Sequence, residues 1–186
     1  MKKQFTEEFM RANRGCYFLE ELEQCSFMQN DLITLSSILD SEIDLKDKYY
    51  FCCKTLFTPE QNQIIAIGVA EIVLGIYEKQ YPENKAPRTA IQAAKDYLNN
   101  KITEEQAEEI RYTASTTAAA ASYTNNAAVA AAQASFTRNA AVAAAHAVDA
   151  AEAATYPEFA FYIGKDKRNY KEELLQYLKE YCKLQS

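Results

Sequence analysis

His146 is the only histidine, and Asp149 and Glu152 follow it at three and six residues. On a helix, His146 and Asp149 therefore share a face, the arrangement a general acid or base uses when a carboxylate orients an imidazole. The same spacing serves equally well for a cap or an interhelical hydrogen bond. A metal centre needs three or four converging ligands, and no second histidine exists to supply one. The five cysteines, Cys16, Cys25, Cys52, Cys53 and Cys182, form no CxxC or Cys/His spacing, and their odd number leaves at least one thiol unpaired. They read as reduced thiols. No GxSxG, HExxH, phosphate loop or Cys-His nucleophile pattern occurs, so neither catalysis, metal nor cofactor is expected.

A second pair of charges draws attention. Glu71 stands inside the apolar run Ile64 to Tyr77, where a carboxylate buried without a partner is costly. Arg88, which opens the next helix, is the natural counter-charge. The expectation is a Glu71–Arg88 pair in the interior between two antiparallel helices, either structural or part of a ligand pocket. The residues that could meet a ligand or partner are Glu71, Tyr77, Glu78, Tyr81, Arg88 and Lys95 around this turn. Arg138, His146 and Asp149 join them from further along the chain.

The elements that position these groups are helices. Only four Gly and four Pro occur in 186 residues, too little turn material for a sheet-rich fold. In the N-terminal third, Phe18, Leu19 and Leu22, and then Leu32, Leu35, Ile38 and Leu39, recur at three- and four-residue steps and predict two short helices. The charged stretch from Ser41 to Lys48 reads as loop. Thr58-Pro59-Glu60-Gln61 is a helix start, with Thr58 as cap, Pro59 at the first helical position and Gln61 completing a capping box. That helix should run to about Lys79, where Tyr81-Pro82 ends it. A second opens near Pro87 and closes around Asn99-Asn100. Thr103-Glu104-Glu105-Gln106 repeats the capping-box pattern and begins a third.

From Ala114 to Ala154 about half the residues are alanine. Within this stretch, Tyr123 to Ala134 returns as Phe136 to Ala147 at a period of thirteen. One unbroken helix from Thr103 to Thr155 would be roughly 75 Å long, against a radius of gyration of about 16 Å for a compact chain of this size. The helix must break. Tyr123 to Asn126 is the best place, with Asn126 as the next N-cap, and the repeat marks Thr137 to Asn139 as a second candidate. Methyl-lined surfaces let helix axes approach closely, and they also suit a homo-oligomer. The fold expected is thus all-α, a compact bundle with an alanine-rich, tightly packed helical core. Residues 1–57 form a helical and loop extension packed on the unit of residues 58–186.

A net charge of −6 makes nucleic acid a poor partner and favours a basic protein surface. The apolar run at Ile64 is too short for a membrane span, and the N-terminus lacks the apolar stretch of a signal peptide, so a cytoplasmic location is expected.

Three stretches carry a resemblance: Val69-Ala-Glu-Ile-Val-Leu-Gly-Ile-Tyr-Glu-Lys-Gln-Tyr-Pro82, Ala86-Pro-Arg-Thr-Ala-Ile-Gln-Ala-Ala-Lys-Asp-Tyr-Leu98, and the alanine-rich segment ending His146-Ala-Val-Asp-Ala-Ala151. Together they resemble the immunity-protein domain of bacterial polymorphic toxin loci, over Gln61 to Thr155. Asn13-Arg-Gly-Cys-Tyr17 and Asp44 to Tyr50 resemble extended members found in bacteria and phages. The resemblance implies a small cytosolic protein that neutralises a toxin by direct binding, with no catalysis assigned. The competing expectation is a small-molecule binder that sequesters a nucleotide signal through Arg88, the tyrosines and the polar groups standing out from the alanine helices.

Overall fold

A computed structural model of the chain describes residues 4–6, 8–9, 33–119, 125–133, 140–155 and 168–184. The elements are β1 (Gln4–Phe5), β2 (Ile33–Thr34), α1 (Leu35–Leu39), α2 (Leu45–Thr55), α3 (Pro59–Gln80), α4 (Ala86–Leu98), α5 (Glu104–Ala119), α6 (Asn125–Gln133), α7 (Ala140–Ala153) and α8 (Tyr170–Leu184). The fold is all-α apart from one short antiparallel pairing, in which Gln4 faces Thr34 and Phe5 faces Ile33. That strand pair brings the Phe5 ring edge-on to Phe51 of α2, with centroids 5.3 Å apart.

The local start signals work as the sequence predicts. Thr58 Oγ1 accepts from the Gln61 N–H while Gln61 Oε1 accepts from the Thr58 N–H, and Pro59 takes the first helical position of α3. Thr103 and Gln106 make the same reciprocal pair before α5. Tyr81 leaves helical geometry ahead of Pro82 and ends α3.

The stretch from Ser41 to Lys48, expected as loop, is half helix: α2 begins at Leu45. Asp44 is its N-cap, accepting from the Lys46 N–H at 2.7 Å. Charge alternation hid an ordinary helical spacing, since Leu45, Lys48, Tyr49 and Cys52 all face inward. Lys48 is buried because its ammonium donates to the Leu39 and Ser41 carbonyls at 3.0 and 2.6 Å, closing off the end of α1. Of the two N-terminal helices expected, α1 covers Leu35, Ile38 and Leu39. Phe18, Leu19, Leu22 and Leu32 lie outside the described residues.

Helix α3 is the axis of the fold. Ile65, Ala66, Val69, Ala70, Val73, Ile76 and Tyr77 are all buried, leaving only a narrow strip of the helix towards solvent. It packs against α4, α6, α7 and α8. The described parts of the alanine segment form α5, α6 and α7, with α6 packed on both of the others, and the break expected at Tyr123 to Asn126 and the second at Thr137 to Asn139 fall at residues 120–124 and 134–139, outside the described set. Asn126, expected as an N-cap, is instead the second residue of α6. Ala127 and Ala130 of α6 and Ala143, Ala144, Ala147, Ala150 and Ala151 of α7 are buried inside the chain. Helix α7 packs against α2, α3, α6 and α8 at once, which is possible because most of its side chains are methyl groups.

Helix α8 lies along a glycine strip on α3. Gly68 sits under Tyr177 and Gly75 lies near Tyr170, so the two seven-residue steps run in opposite directions. Tyr177 donates to the Ile64 carbonyl at 3.2 Å and Tyr181 to the Gln61 carbonyl at 3.4 Å. A Cβ on Gly68 would overlap the Tyr177 hydroxyl and ring carbons together. Gly68→Ala is therefore expected to lower unfolding free energy by about 1–3 kcal/mol, although alanine is the better helix former. Tyr177→Phe, which loses one partly exposed hydrogen bond, should cost about 0.5–1.5 kcal/mol. Urea titration followed by circular dichroism measures both; an unchanged or raised midpoint for Gly68→Ala would refute the contact.

Candidate partner-binding surface

The turn between α3 and α4 is built by side chains as much as by backbone. Asn84 Nδ2 donates to Tyr77 Oη at 2.7 Å while its Oδ1 accepts from the Ala86 N–H at 3.0 Å, so one amide ties the end of α3 to the start of α4. The Tyr77 and Tyr81 rings lie 5.0 Å apart beside it. Tyr77 is buried, and burial raises its phenol pKa above the ordinary value.

The two helices run back antiparallel, and four charges meet in two rungs. Glu71 Oε1 accepts from Lys95 Nζ at 2.6 Å. Seven residues on, Glu78 accepts two hydrogen bonds from Arg88, from Nε at 2.6 Å and from Nη2 at 2.5 Å. The expected Glu71–Arg88 pair does not form, and the site is not interior. The Glu71 side chain is 48% exposed and that of Arg88 is 61% exposed. Glu71 falls on the exposed edge of α3, so its carboxylate never leaves water and needs no buried counter-charge. The fork of Arg88 holds the Glu78 carboxyl below its ordinary 4.5.

His146 and Asp149 form a separate group on α7. Asp149 pairs with Lys46 at the start of α2, raising the lysine pKa, and Glu152 accepts from Lys171 of α8 at 2.8 Å. The counter-charge of Asp149 is thus a lysine, and the carboxylate makes no ion pair with the imidazole. His146 is half buried, and its Nδ1 is enclosed with no hydrogen-bond partner among the described residues. Desolvation lowers its pKa below 6.5, opposed by the Asp149 charge and reinforced by Lys46. Arg138 lies outside the described residues. The expected binding residues therefore fall into a paired row on α3 and α4 and a group beside α2, with no common centre.

One feature of this surface went unread in the sequence. Helix α5 turns Ala107 inward and leaves Glu104, Glu105, Glu108, Glu109 and Tyr112 exposed along one ridge. The Tyr112 side chain ends that ridge at 67% exposure. The signal was present in the i, i+1, i+4, i+5, i+8 spacing around a single inward alanine.

Residues 60–184 match the family described as "Imm-5 like putative immunity protein". The chain belongs to this family. The match covers about two-thirds of its length and takes in α3 to α8, while β1, β2, α1 and α2 lie before it. No curated protein and no solved structure matches the chain. The family unit therefore coincides with the helices around α3, and α2 is packed against it at α7.

Two outcomes follow from the charges. Arg88→Ala should lower stability at neutral pH by no more than about 1 kcal/mol, as for other exposed ion pairs, and not by the several kcal/mol of a buried pair. Because the Glu78 pKa is depressed in the fold, this contribution is present above 4.5 and fades as pH falls through the folded value. Equal stabilities of wild type and variant at pH 7 and pH 3 alike would refute the pairing. For His146, the neutral ring is the folded form, so its contribution is full above 6.5 and lost as pH falls and the unfolded chain takes up the proton. His146→Gln is expected to flatten the stability profile between about pH 6.5 and 5, compared by thermal unfolding of the two proteins.

Proposed function

We propose that the protein is an immunity-type inhibitor that acts in the cytosol, binding a toxin directly and covering its working surface without catalysis. The observation that carries this reading is the family match over residues 60–184. Charge supports it. The chain carries a net −6, and the α5 ridge offers four carboxylates beside an exposed tyrosine, a combination suited to steering and then anchoring a basic protein surface. No helix among the described residues is long and apolar enough to cross a membrane. Within the candidate small-molecule site, Arg88 is already held at two points by Glu78, so a phosphate would have to displace a carboxylate.

Co-expression with a candidate toxin domain, sought among the genes beside its own, is the direct test. The chain should restore growth and co-purify with the toxin. Exchanging Glu105, Glu108 and Glu109 together for lysine should weaken binding about tenfold or more, mainly through the association rate, and reduce its salt dependence. Growth arrest despite co-expression, with no complex recovered, would sink the inhibitor reading. Calorimetric binding of a nucleotide under those circumstances would replace it with the small-molecule one.

A further inference from the structure

Cys52 and Cys182 stand 130 positions apart in the chain, yet their sulfurs are 4.0 Å apart, where α2 crosses the last turn of α8. Both residues are buried, at 0% and 5% exposure, and neither is in a disulfide. The crossing is fixed from a second point, because Tyr49, one turn earlier on α2, donates to the Leu174 carbonyl of α8 at 2.6 Å. The two sulfurs thus belong to different elements held in register, one before the family unit and one at its end. We propose that Cys52 and Cys182 are a peroxide-responsive pair that closes to an intramolecular disulfide, locking α2 of the N-terminal segment onto the C-terminal helix. The inference does not depend on the immunity reading.

The chemistry needs a small oxidant, and hydrogen peroxide supplies the class. The Cys182 thiolate attacks one peroxide oxygen and the O–O bond breaks, giving a sulfenic acid and a hydroxide that leaves as water with the thiol's proton. The Cys52 sulfur then attacks the Cys182 sulfur, the S–O bond breaks, and a second water leaves with the Cys52 proton. Two thiols lose two electrons and one peroxide gains them. Entry is at Cys182, which lies in the final turn of its helix, where backbone hydrogen bonds run out and opening is least costly. Cys53 is also buried near Cys182, but the sulfur that stands 4.0 Å from Cys182 is that of Cys52, and the next residue of a helix points about 100° away from it. Formation should be slow in the closed fold and faster when α8 frays, so rate rises with mild denaturant.

The test treats the intact, reduced protein with hydrogen peroxide, blocks remaining thiols and digests it with trypsin without reduction. The expected product joins peptide 49–54 to peptide 180–183, with fragment ions assigning the link to Cys52. The monomer band should persist on a non-reducing gel. The melting temperature should rise, on the order of 5–10 °C, because the link closes a long loop in the unfolded chain. Cys182→Ser should abolish the linked peptide and the rise, and Cys53→Ser should retain both. A link from Cys182 to Cys53, Cys16 or Cys25, a disulfide-bonded dimer, or oxidation to sulfinic acid without any linked peptide would each overturn the proposal, as would a link that forms without raising the melting temperature.

Discussion

The fold depends on surrounding one long helix almost completely. A helix covered on most sides by other helices cannot carry large side chains everywhere, because each neighbour must approach to the distance its own residues allow. The chain meets this constraint twice over with small residues. On the α6 and α7 side the neighbours are alanines, of which Ala130, Ala143, Ala144 and Ala147 are fully buried. On the α8 side the small residues belong to α3 itself, where Gly68 and Gly75 leave space beneath Tyr177 and Tyr170. Large side chains are thus supplied from one partner at each interface, and the Tyr177 hydroxyl reaches the Ile64 carbonyl across it.

That constraint also decides where charge can stand. Helix α3 keeps one strip towards solvent, and the carboxylates of Glu71 and Glu78 fall on it seven residues apart. Their partners on α4, Lys95 and Arg88, are also seven apart in the reverse direction. Such exposed pairs add little to stability, but a slip of one residue between the helices would separate both together, so they help to specify the antiparallel register. The Asn84 amide fixes the same register from the turn. Lys46–Asp149 and Lys171–Glu152 do for α2 and α8 on the surface of α7 what these pairs do for α4 on α3.

What the sequence revealed, and what it withheld, follows the range of each interaction. The capping boxes at Thr58 and Thr103 and the stop at Tyr81-Pro82 depend on residues a few positions apart, and the division of the alanine segment on chain length alone, so they were legible. The partner of Glu71 was not. Every neighbour of Glu71 in sequence is apolar, and only the placement of α4 and α8 shows that this turn of the strip stays open. The start of α2 was lost because Lys48 looks like a surface charge until the carbonyls of α1 are placed over it. Tyr170, Leu174, Leu178 and Tyr181 recur at the three- and four-residue steps of α8, a local signal as plain as the capping boxes. His146 and Asp149 share a helix as expected, yet Lys46, a hundred residues earlier, takes the carboxylate.

The position of α2 bears on how such a domain meets a partner. Within the family unit, α7 is built largely of alanine. In this chain it is covered by α2, held by a lysine–carboxylate pair at one end, by Tyr49 on Leu174 in the middle and by the Cys52–Cys182 contact at the other. Helix α2 is thus fastened to α7 by the ion pair and to α8 by the tyrosine and the cysteine contact. The segment preceding the family unit therefore has a structural role, closing the core from the α7 side. On α4 and α5 the ion-paired row and the acidic ridge face water.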